Sequence, residues 1–86
     1  PKHPYQNMEI GEVSNYFDHV GAAAIKLSKS LKVGDRIRIS GGNIDFEQEV
    51  ESMQINRKDV QSAKAGEEIG IMVSGKVRKG YKVFKV

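Results

Sequence analysis

The 86-residue chain has no cysteine. That excludes disulfides, thiolate nucleophiles and zinc–thiolate centres, and it fits a reducing, cytoplasmic setting. No apolar run approaches the ~20 residues that a membrane-spanning helix needs. The opening stretch PKHPYQNM lacks the apolar core of a signal peptide. It reads as a flexible leader over residues 1–8, followed by a single domain over 9–86. A domain of this size buries a limited share of its surface, so its core has to be closely packed.

Net charge is a mild +3, but it is unevenly spread. Residues 1–56 hold 6 Lys/Arg against 8 Asp/Glu, a net of −2, whereas residues 57–86 hold 8 against 3, a net of +5. A basic C-terminal third suits a polyanionic partner, and it equally suits a solvated lysine-rich surface.

The chain reads as strand, turn, strand throughout. Ile10 to Phe17 and Val20 to Leu27 are short β-like runs. Gly21 and the shortness of the run weigh against a helix at Ala22–Ala24, whose small side chains suit a tight barrel interior. Leu31 to Asp35 is a turn, with Gly34 able to take positive φ. Arg36 to Ile39 alternates basic and apolar residues, as a half-buried strand does. Ser40 to Asn43 is a hairpin turn. In Ile44 to Asn56, Phe46, Gln48 and Val50 share one parity and Met53 and Ile55 the other, which predicts a bulge or bend near Glu51-Ser52. Asp59 to Ala65 predicts a loop or one helical turn ended by Gly66. Ile69, Ile71 and Val73 point inward, Ser74-Gly75 breaks that strand, and the last strand runs through Tyr81 to Val86. Phe17 and Phe84 read as core. About six short strands at this spacing predict an all-β fold, a small closed six-stranded antiparallel β-barrel, whose closure removes exposed edges.

No catalytic constellation is legible. His3 and His19 have no partner at metal-ligand spacing, Gly41-Gly42 lacks the lysine and hydroxyl of a phosphate loop, and no serine sits in a nucleophile elbow. Asp45, Glu47, Glu49 and Glu51 share one strand face, which reads as solvated rather than as an acid pair or a cation site. The expectation is a non-enzyme with no cofactor and no metal. The binding candidates are basic. Arg57 and Lys58 follow one strand, and Lys76, Arg78 and Lys79 surround the turn before Tyr81. If folding brings these turns together, five cations share a rim able to hold phosphates. Tyr16, Phe17 and Tyr81 are candidate stacking surfaces, and Tyr81 is equally a barrel residue with its hydroxyl at the surface.

In order along the chain, LKVGDRIRI (31–39), VESMQINRKDV (50–60), AKAGEEIGI (63–71) and VRKGYKV (77–83) together resemble the second domain of translational GTPases such as elongation factor Tu and initiation factor two. GEVSNYFDHVGAAAIKL (11–27) and DFEQEVESMQI (45–55) resemble more closely the small C-terminal barrel of collagenase-like peptidases. The first resemblance implies a six-stranded barrel that helps hold the aminoacyl end of transfer RNA. Arg57 matches the basic contact there, and Gln54 stands where that family has an acidic one. With the basic turns, the first resemblance leads to an expected RNA contact, with transfer RNA or the ribosome, in which Arg57 and Gln54 come from the resemblance and Lys58, Lys76, Arg78, Lys79 and Tyr81 from the basic and aromatic pattern. The alternative is an accessory barrel that docks on a peptidase-like or RNA-modification enzyme or on a second copy of itself.

Overall fold

Alternation of apolar and polar side chains sets the sheet. In the computed structural model, which describes residues 8–86, ten strands follow one another with no helix among the described residues. They are β1 (Met8–Phe17), β2 (Ala22–Leu27), β3 (Leu31–Lys32), β4 (Arg36–Gly41), β5 (Ile44–Glu49), β6 (Met53–Ile55), β7 (Lys58–Val60), β8 (Ser62–Ala63), β9 (Glu68–Met72) and β10 (Lys82–Lys85). His3 and most of the expected leader lie outside the described residues, and Met8 already opens β1. Inward positions repeat every second residue. Ala23, Ile25 and Leu27 of β2, Ile37 and Ile39 of β4, and Ile69 and Ile71 of β9 are all buried. With Ile10, Val13, Leu31, Val50, Met53, Ala63, Val77 and Val83 they form one core that holds no buried polar side chain among the described residues.

Eight strands form one antiparallel ladder in the order β5-β4-β10-β1-β2-β9-β6-β7, and β3 pairs separately with β8. The long β1 lies between β10 and β2. It shifts register at Glu9/Gly11 against the first and at Val13/Asn15 against the second, which bends it around the core.

The ladder differs from a closed six-stranded barrel. Its end strands, β5 and β7, share no ladder among the described residues. The cause lies in the run 44–56. The parity change there is met by a break, not by a bulge within one strand. β5 stays on β4, the chain leaves the ladder at 50–52, and β6 joins β7 and β9. Val50 is held in that gap by its amide donating to the Asp35 carbonyl (2.8 Å) and its carbonyl accepting from the Gly34 amide (2.8 Å). The predicted loop or helical turn over 59–65 is instead mostly extended, in β7 and β8.

A side chain spans the gap that the ladder leaves. Gln48 on β5 donates from Nε2 to the Met72 carbonyl (2.7 Å). Its Oε1 accepts from the Ser74 amide (2.9 Å) and the Ser74 hydroxyl (3.3 Å). Edge strand β5 is thereby tied to the end of β9. The acidic face of β5 points outward, as alternation requires, and two of its carboxylates are engaged. Arg36 Nε meets Glu47 Oε1 at 3.1 Å, and Arg38 forks onto Asp45 with Nε–Oδ1 2.7 Å and Nη2–Oδ2 2.6 Å. Charges on an edge strand also discourage pairing with other sheets.

Gln48→Ala removes three bonds and leaves the Ser74 amide unpaired. We expect a loss of about 1–2 kcal/mol in urea unfolding, with faster exchange at the Ser74 amide; an unchanged midpoint and unchanged exchange would show that the clasp is ornamental. The Arg38 hydrogen bond, and secondarily its charge, hold the Asp45 carboxyl below its ordinary value. A depressed folded pKa adds stability above the unfolded value that is lost as pH falls through the folded one. In Arg38→Ala the Asp45 titration, followed by NMR, therefore moves up to the ordinary carboxylate range, and the variant loses less stability than the parent on acidification.

Candidate functional site

The β6–β7 hairpin turns through only two residues, Asn56 (φ 54°) and Arg57 (φ 67°). Positive φ at both central positions is the geometry that matches strand twist, and Asn-Gly is its usual sequence. Asparagine tolerates the left-handed region, whereas a side chain such as that of Arg57 costs about 1–2 kcal/mol there. Arg57 and Lys58 are exposed. Beside the turn, Gln54 Nε2 donates to Asp59 Oδ1 across the hairpin at 3.0 Å.

The other cations sit on the connection from β9 to β10. Val77 is buried and pins this connection, while Lys76, Arg78 and Lys79 project from it into solvent. The Gly80 amide donates to the Val13 carbonyl, and the Val13 amide to the Tyr81 carbonyl, both at 2.8 Å, which docks the segment on β1. Tyr81 lies close against Gly41 and Gly42 at the end of β4. A Cβ added at Gly41 would stand 2.3 Å from Tyr81 Cδ1, so only glycine admits the ring. Lys76, Arg78, Lys79, Tyr16 and Tyr81 help line a hollow of about 730 Å³.

The structure brings Lys76, Arg78, Lys79 and Tyr81 together and places Arg57 and Gln54 in a different hollow. Lys58 lines neither of these two. The five cations are thus divided between two hollows and the Lys58 position.

The hollow that Arg57 lines, about 660 Å³, is chiefly apolar and was not legible as a site in the sequence. Register builds it. Phe17, Ala22 and Met72 stand opposite one another on β1, β2 and β9, and the next outward row is Asn15, Ala24, Gly70 and Gln54. Ala22, Ala24 and Gly70 make a low floor between taller walls. Phe17 is 41% exposed, Val20 51% and Met72 58%. Phe17 is therefore not core, and Phe84 is only half-buried. Of the alanine run, only Ala23 faces the interior fully. The available signal was parity. Once Ala23, Ile25 and Leu27 point inward, Ala22 and Ala24 occupy positions that a solvated strand fills with polar residues. Covering a large apolar side chain is worth about 1.5–3 kcal/mol, so three exposed around one trough form a surface suited to a partner. The nearby acids are already engaged. Glu68 accepts from the Ser14 hydroxyl and Asp59 from Gln54. Arg57 has no ion pair or side-chain hydrogen bond among the described residues.

No family model matches the chain. An uncharacterized protease of Methanocaldococcus jannaschii is 44% identical over 81 residues, which is 93% of this chain and 20% of that protein. The chain thus spans about one fifth of the length of the curated relative it matches. Two crystal structures of the C-terminal domain of a Geobacillus thermoleovorans protein assigned to the U32 peptidases share the fold. One superposes with a TM-score of 0.86 at 17% identity over 100% of this chain and 99% of that domain. The other, a selenomethionine variant, gives 0.85 at 19% identity over 90% and 98%. These matches agree with the likeness to the C-terminal barrel of collagenase-like peptidases. The likeness to translational GTPases rests on the sequence motifs alone.

Because Arg57 occupies a left-handed position that glycine fills without strain, Arg57→Gly should stabilise the chain by about 1 kcal/mol in thermal unfolding. A destabilised variant would mean that the guanidinium has a structural partner.

Proposed function

We propose that this chain is a non-catalytic accessory β-domain of a peptidase-like protein, and that the trough walled by Phe17, Val20 and Met72 packs on the body of that protein. One observation carries the reading. Three of the five exposed large apolar side chains among the described residues, Phe17, Val20 and Met72, line one hollow floored by Ala22, Ala24 and Gly70. The occupant is suggested by the relative, in which the matching segment is one fifth of a protease and the remaining four fifths supply a body to dock on. Chemistry belongs to that body in this reading, since a nucleophile with a positioned base or a metal set is what a peptidase needs.

RNA contact has a narrower basis. Lys76, Arg78 and Lys79 beside Tyr16 and Tyr81 would hold phosphates, but Arg57 lines a different hollow, and the Tyr81 ring is packed close against Gly41. Docking accounts for more of the surface and is the reading adopted.

Titrating the isotopically labelled chain with the Methanocaldococcus jannaschii protease lacking its matching segment should shift the amides of Ala22, Ala24, Gly70 and Met72. Met72→Asp should weaken binding at least about tenfold, the loss of one well-buried apolar contact, without lowering stability, because Met72 is exposed in the chain alone. Gly70→Val should act likewise, since an added Cβ meets nothing within 4 Å and the branched side chain raises the trough floor. Shifts confined to the 76–81 segment, or none, would sink the reading.

A further inference from the structure

Docking on the trough would take Arg57 out of water, and that has a consequence for the partner. A guanidinium cannot shed its charge, and burying it unpaired is costly. Glu68 lines the same hollow and Asp59 lies two residues on, yet neither forms an ion pair with Arg57, and no ion pair to Arg57 exists among the described residues. His19, the other basic side chain lining the hollow, adds no negative charge. The Arg57 backbone is moreover left-handed, where glycine would turn the hairpin without strain.

We propose that the surface seated in the trough carries a carboxylate side chain opposite Arg57, so that the trough selects an apolar segment flanked by Asp or Glu. The inference rests on the docking reading. Phe17, Val20 and Met72 supply apolar area, and the Arg57 fork fixes register, because two parallel N–H donors match a carboxylate in a single geometry. Arg57 is placed to do this because it lines the same hollow.

The test uses the titration against the protease lacking its matching segment, now with Arg57→Gly, Arg57→Lys and Met72→Asp, at low and high salt. Arg57→Gly should bind about tenfold or more weakly, the usual scale for removing one half of a covered charge pair, while its melting temperature rises by about 4–8 °C. Arg57→Lys should keep part of the affinity. The parent's affinity should fall with salt and that of Arg57→Gly should not. If Met72→Asp weakens binding and Arg57→Gly binds like the parent, the carboxylate is refuted and docking stands. If the parent does not bind, both are overturned.

Discussion

A sheet side chain faces in or out by parity alone, and most of this molecule follows from applying that rule to strands wrapped around one small core. Every inward position in β2, β4 and β9 is aliphatic. The core excludes polar groups so fully that hydrogen-bonding side chains are left to the surface and to the ladder's gap. Where the parity of residues 44–56 changes, the chain abandons its ladder, because a one-residue slip would have turned Phe46 and Val50 outward. Gln48 then supplies by side chain what the backbone no longer can.

The same rule makes the surface readable. Outward positions on β4 and β5 carry Arg36, Arg38, Asp45 and Glu47, which pair across the strands. Outward positions on β2 and β9 carry Ala22, Ala24, Gly70 and Met72, with the charged pair Lys26 and Glu68 at one end of the row. Part of this side of the sheet is thus apolar and low. The contrast with the charged pairs of β4 and β5 lies between strands of one sheet.

The longer strands β1, β2, β4, β5, β9 and β10 were legible in the sequence because alternation and glycine-bearing turns are local, whereas the two-residue strands β3 and β8, with too few residues to show alternation, fell in stretches that read as turn and loop. The β6–β7 hairpin was not legible either, since Asn56-Arg57 lacks the glycine that usually announces such a turn. Phe17 reads as core in the sequence because aromatic residues so often are; only its register in the row with Ala22 and Met72 reveals it as a wall. How the basic residues group in space is not local either. Arg57 and Lys76 are each exposed, as composition suggests, but which hollow each one lines depends on how distant strands are laid side by side.

The contact between Tyr81 and Gly41 joins two segments far apart in sequence at a point where one atom too many cannot be fitted. Positions 41 and 81 are consequently not free to drift independently. A lineage that acquires any side chain at 41 must first shrink or redirect the aromatic ring at 81, and the order of those two steps matters, since the reverse path passes through a clash. Coupled variation at this pair is the evolutionary signature that the fold should leave in its relatives.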